Sequence, residues 1–139
     1  MRRLVLVLAL ASLTGCSHRK SIGRDQVQSE LRSARSFAAE SEIFIDFVLQ
    51  GHATRRYADG HSAYLEDAIE ESAKELDQAV PESDAKDSAR ECQTQLHMLA
   101  RELSGIRAAI GKDDKNALVA ARGRIGQIRQ SLEKANSYL

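Results

Sequence analysis

The chain has 139 residues, 20 basic and 20 acidic, with 42% hydrophobic and 4% aromatic residues. Abundant, periodic apolar residues exclude a disordered chain, and the even charge excludes a nucleic-acid binder driven by bulk charge. The length suits one domain, and Ala, Leu, Glu, Arg and Ser dominate alongside one proline and no tryptophan, which favours helix over strand.

The N-terminus comes first in chain order. Met1, Arg2 and Arg3 form a cationic start, and residues 4–13 are ten apolar positions interrupted only by Ser12. This segment is too short to be a stable membrane span and reads as a secretory signal. It runs directly into Leu13-Thr14-Gly15-Cys16. That tetrad resembles the lipobox of bacterial lipoproteins, over residues 1–16 only. The resemblance implies diacylglycerol on the Cys16 thiol, cleavage between Gly15 and Cys16, and acylation of the new amine. In a Gram-negative host, Ser17 rather than Asp after the lipidated residue implies the periplasmic face of the outer membrane. Two or more acyl chains give stable attachment where one does not, at about 0.8 kcal/mol per buried methylene. Removing residues 1–15 leaves 139 − 15 = 124 residues, with 20 − 2 = 18 bases against 20 acids.

Residues 16–23 are expected to be a lipidated tether, with the helical domain at 24–139. His18, Arg19 and Lys20 in the tether, with Arg24 just beyond it, can be drawn to anionic headgroups or simply stay solvated. With Cys16 acylated, Cys92 has no intramolecular partner, and its place on an apolar helical face predicts a buried, inert thiol.

Gly51, Pro81 and Gly111 recur thirty residues apart and divide the remainder into four helical patterns. Residues 24–50 place Val27, Leu31, Ala34, Ala38, Ser41, Ile45 and Val48 on one stripe, widened by Phe37, Ile43, Phe44 and Phe47. Asp46 shares a strip with Glu42 and Gln50 and is expected to face water. Residues 54–80 carry a weaker stripe of Ala58, Ser62, Leu65, Ile69, Ser72, Leu76 and Ala79, with Thr54 able to cap its start. Residues 84–110 hold an unbroken heptad seam from Ala85 through Cys92, Leu99 and Ile106 to Ile110. Ser83 or Asp84 is expected to cap it, and Gly111 to supply a left-handed stop. Residues 114–138 repeat the seam from Leu118 to Leu132 and on to Leu139, after a polar turn at Lys112, Asp113 and Asp114.

Four such helices are each roughly 40 Å long. They predict an all-α, antiparallel up-down-up-down four-helix bundle. The alternative is a chain that runs through residue 51 as one long bent helix packed on a C-terminal hairpin. Glu102 and Arg124 are placed for an interhelix ion pair. Residues 59–91 carry 11 acids against 3 bases and residues 101–139 carry 8 bases against 4 acids. This asymmetry suggests helix two beside helix four, or else a partner surface steered by charge.

No phosphate loop, zincin helix, haem-attachment motif, nucleophile elbow or Glu-x-x-His pair occurs. The expectation is therefore no catalysis, no metal, and no cofactor beyond the covalent lipid on Cys16. One local cluster stands out: Arg55, Arg56, Tyr57, His61 and Tyr64, of which the last three share a helix face. It suits either a recognition patch or a semi-buried packing cluster. Together these features describe a lipid-anchored protein of the cell envelope that binds or scaffolds. Its expected partners are the membrane, through the anchor, and an envelope protein or a second copy, with no nucleic acid. The rivals are an envelope stress sensor or chaperone-like protein with an exposed apolar groove around Phe44, Phe47 and Tyr57, and a metal- or haem-binding bundle.

Overall fold

A computed structural model describes residues 20–139; the signal segment, Gly15 and Cys16 lie outside the described residues. The element order is β1 (Ser21–Ile22), α1 (Arg24–Leu49), α2 (Arg55–Gln78), β2 (Val80–Pro81), α3 (Lys86–Lys112) and α4 (Lys115–Asn136). The four helices form an up-down-up-down bundle, and α1 and α2 are separate helices.

The break between α1 and α2 is made by Gly51, whose φ of 74° is left-handed. Its N–H donates to the Val48 carbonyl (3.0 Å) and the His52 N–H to the Phe47 carbonyl (3.1 Å). This pair of bonds is the Schellman arrangement, and glycine adopts it without the Cβ penalty. Three residues later the Thr54 hydroxyl accepts from the Tyr57 N–H at 3.2 Å and starts α2. A stop and a start so close together leave no room for one continuous helix.

The end of α3 departs from expectation. Gly111 stays inside the helix, and Asp113 takes the left-handed conformation at φ 54°. The Asp113 N–H donates to the Ile110 carbonyl (3.3 Å) and the Asp114 N–H to the Ala109 carbonyl (2.9 Å). The apolar seam explains the delay, because Ala109 and Ile110 are both buried and the helix must persist past them before it can turn. Asp114 then caps α4, its Oδ1 accepting from the Ala117 N–H at 3.0 Å. At the other end of α3 neither Ser83 nor Asp84 caps. Ala85 holds that position with no side-chain bond, and its own side chain is fully buried.

The heptad seams form the core. Leu96, Leu99, Leu103 and Ile106 of α3 meet Ile125, Ile128 and Leu132 of α4, Leu31 and Ile45 of α1, and Leu65 and Ile69 of α2. In α2 the buried position is Ala73 rather than Ser72. Cys92 is buried and unpaired. Burial, reinforced by the charges of Glu30 and Glu91, pushes its thiol up to about 12. It therefore stays protonated and unreactive at neutral pH.

The N-terminal segment is drawn into the fold further than a tether would be. Ser21–Ile22 pairs in parallel with Val80–Pro81, and Ile22 is 3% exposed. The Val80 N–H donates to the Lys20 carbonyl and the Glu82 N–H to the Ile22 carbonyl, both at 3.0 Å. Pro81 lies between these two donors, where its missing N–H costs nothing. The pairing thus involves the chain from Lys20 onward, four residues before the start of the helical pattern.

Neighbour relations correct the charge argument. α2 packs chiefly on α3, and α4 on α1 and α3; α1 touches α3 across the bundle more than it touches α2, and α2 and α4 are held apart. The approach of α1 and α3 across the middle is what separates the second helix from the fourth. The α4 cations therefore pair elsewhere. Arg122 makes a bidentate bond to Asp46 (2.5 and 2.8 Å), Arg129 binds Glu42 (2.7 Å), and Arg124 binds Glu102 (2.7 and 2.9 Å). Asp46, expected to face only water, is thus a partner of α4.

Candidate binding face

An aromatic face is built where α1 ends and α2 begins, at the end of the bundle opposite Lys20. The Gly51 turn folds α2 back along α1, so residues equally far from the turn meet. Phe47 stands 6.1 Å from Tyr57 between ring centroids, edge to face, and 5.4 Å from His52. Phe44 packs on His61 at 4.8 Å. Along α2 itself the spacing 57, 61, 64 stacks three rings. Tyr57 and His61 are 5.5 Å apart and nearly parallel, and His61 and Tyr64 are 6.1 Å apart. A ladder of six rings results, from His52 through Phe47, Tyr57 and His61 to Tyr64, with Phe44 beneath.

Burial divides this ladder into a floor and two rims. Phe44 is buried and belongs to the core, and His61 is half-buried against it. Ile43 is 70% exposed and Phe47 41% on the α1 rim; Tyr57 is 51% and Tyr64 62% exposed on the α2 rim. Ile43 and Phe47 therefore do not widen the core face as their spacing suggests. The core stripe of α1 is already filled by Ala34, Ala38, Ser41 and Ile45, and one further turn of apolar residues falls outside it. Polar groups at the face are few. His61 Nε2 lies 3.5 Å from Glu40 Oε1, an ion pair when the ring is protonated.

The two arginines of the sequence cluster separate from the rings. Arg55 donates to the Gly111 carbonyl at 2.6 Å and so caps the C-terminal turn of α3, where a cation is favoured. Arg56 is exposed, and both line a shallow recess with Asp59, Ile110 and Gly111. Tyr57, His61 and Tyr64 come together as expected. Sequence reasoning left Glu40, Ile43 and His52 out of the cluster and did not join Phe44 and Phe47 to His61 and Tyr64. The available signal was distance from the turn: Phe47 lies four residues before Gly51, and Tyr57 three residues after Thr54.

The face offers ring edges, aliphatic surface and one carboxylate. Among the described residues no group of three or more His, Cys, Asp or Glu is placed to hold a metal ion, and no helix is long and apolar enough to cross a membrane. No family model, curated protein or solved structure matches the chain.

Proposed function

We propose that the protein is a lipid-anchored cell-envelope lipoprotein whose helical bundle binds or scaffolds without catalysing a reaction. The observation that carries this reading is the run of cationic start, ten-residue apolar segment and Leu13-Thr14-Gly15-Cys16. The chemistry is consistent throughout. Small side chains at Thr14 and Gly15 suit a peptidase, and the Cys16 thiol is the nucleophile that takes the lipid. The body supports the same reading in two ways. Its β1 pairing involves Lys20, four residues beyond Cys16 in sequence, so a lipid on Cys16 would hold that end close to the bilayer. Its exposed rings lie at the opposite end, about 35–40 Å away along a 26-residue helix, where they would face the envelope space. In a two-membrane envelope, the sorting rule of the lipoproteins that the lipobox resembles reads Ser17 as pointing to the periplasmic face of the outer membrane.

The test is mass spectrometry of protein isolated from its native membrane, paired with Cys16→Ala. The mature chain is expected to start at Cys16 and to carry the mass of diacylglycerol plus an N-acyl group, and the variant to leave the membrane fraction. An unmodified thiol with residues 1–15 still attached refutes the anchor.

A further inference from the structure

We infer that the exposed aromatic face where the outer rims of α1 and α2 meet is the docking site for a cationic amphipathic helix of a partner protein. The inference rests on the binding-module reading and names the chemistry of the partner.

Three observations converge on this surface. First, Ile43, Phe47, Tyr57 and Tyr64 expose on the order of 400 Å² of ring and aliphatic surface, taking about 200 Å² for each whole aromatic side chain. That is the size of a functional patch on a monomer. It is about half the area per partner of a standard protein–protein interface. A single helix laid along the face fits that area better than a second copy of the whole bundle.

Second, the charge of α2, which carries half of the patch, is mostly negative. α2 carries seven acids (Asp59, Glu66, Asp67, Glu70, Glu71, Glu75 and Asp77) against Arg55, Arg56 and Lys74. Asp59 and Glu66 are engaged by Arg107, and Asp77 by Gln93 and His97. Asp67, Glu70, Glu71 and Glu75 are exposed and have no ion pair among the described residues. The diagonal placement of α4 is the cause, since its arginines are spent on α1 and α3. On α2 the strip Tyr57, Gly60, Tyr64, Asp67, Glu71 is spaced 3-4-3-4, so the rings run straight into the free carboxylates. The complement is a helix with apolar residues at one end and Lys or Arg along the remainder.

Third, Gly60 sits in that strip between the two tyrosines. It is inside a helix, where glycine is unfavourable relative to alanine, and a Cβ there would meet nothing within 4 Å. The bundle itself has no need of the missing side chain. The backbone or a large side chain of a docked helix would use the space.

The experiment places a photo-crosslinking amino acid at position 43, 64 or 130 of the full chain in its native cells. The crosslinked peptide is then sequenced. Adducts are expected from 43 and 64 and not from 130, on one segment rich in Lys and Arg with apolar residues at helical spacing. Glu71→Gln with Glu75→Gln is expected to cut the yield at least tenfold. Gly60→Ala is expected to cut it too while raising the melting temperature, so lost capture cannot be ascribed to a damaged fold. An adduct with a second copy, or with a segment lacking excess Lys and Arg, overturns the inference. Adducts from 130 alone overturn this surface and leave the binding-module reading standing; adducts from no position remove both.

Discussion

Gly123 and Gly126 lie less than one turn apart in α4, yet the structure separates them sharply. A Cβ on Gly123 would meet nothing within 4 Å, whereas one on Gly126 would lie 3.2 Å from Oε1 of Glu42 on α1. Replacing a helix-interior glycine by alanine gains about 1 kcal/mol from reduced backbone entropy in the unfolded chain. Gly123→Ala should realise that gain in full, which for a domain of this size raises the melting temperature by about 4 °C. At Gly126 the carboxylate must retreat by a few tenths of an ångström. Glu42 is only 15% exposed, and its other oxygen accepts from Arg129 Nε at 2.7 Å. A charge-assisted bond of this kind is worth roughly 1.5–3 kcal/mol, so losing even part of it offsets the propensity gain. Gly126→Ala is therefore expected to leave stability nearly unchanged. In a Glu42→Ala background, where nothing obstructs the new methyl, the same substitution should recover the full gain of about 1 kcal/mol. Urea unfolding followed by circular dichroism, with both glycines in both backgrounds, completes the cycle. Equal gains at the two positions with Glu42 present, or no dependence on Glu42, would refute the close approach of α1 and α4.

Three further outcomes are expected. Asp113→Gly should stabilise by about 0.5–1 kcal/mol, because Asp113 is a non-glycine residue held at positive φ; a loss in thermal denaturation would mean its side chain does more than occupy the turn. With Cys16→Ala leaving Cys92 as the single thiol, a thiol-specific reagent at neutral pH should react only as fast as the chain unfolds, and rapid labelling of the native protein would contradict the burial of Cys92. Burial holds the Glu30 carboxyl above the usual carboxylate range, helped by the charge of Glu75 and opposed by a Ser72 hydrogen bond and Lys20. Its charged form is thus disfavoured by folding, so the penalty is full at neutral pH and fades as pH falls through the raised value. Glu30→Gln, which can still accept from Ser72, should melt higher than the parent at neutral pH and converge with it on acidification; a constant difference across pH would show that ionisation is not the cause.

The candidate face was half legible in the sequence. Tyr57, His61 and Tyr64 share a helix face by spacing alone, and the spacing is a local property. Their α1 companions depend on where the chain reverses, and a shift of one residue at the Gly51 turn would pair different side chains. Arg55 looked like a member of the cluster and instead caps α3, 56 residues away in sequence. No local pattern encodes that partner.

The number of helices, their lengths to within a few residues, all six buried positions of α4 and seven of the eleven of α3 follow from heptad spacing, because an apolar stripe must be covered whatever covers it. The Glu102–Arg124 pair was equally accessible, since a two-sided hairpin with a short turn has one register. What lay beyond the sequence was which helix lies beside which. Charge asymmetry pointed to α2 beside α4, but exposed ion pairs contribute little, while short turns and core burial contribute much. Packing thus set the diagonal, and charge adapted to it: the α4 arginines found Glu42, Asp46 and Glu102, and four carboxylates of α2 stayed in water. The strand-like pairing of Ser21–Ile22 with Val80–Pro81 is tertiary for the same reason, because two-residue segments carry no periodicity of their own and pair only once α2 has brought Val80 back to the N-terminal end of α1.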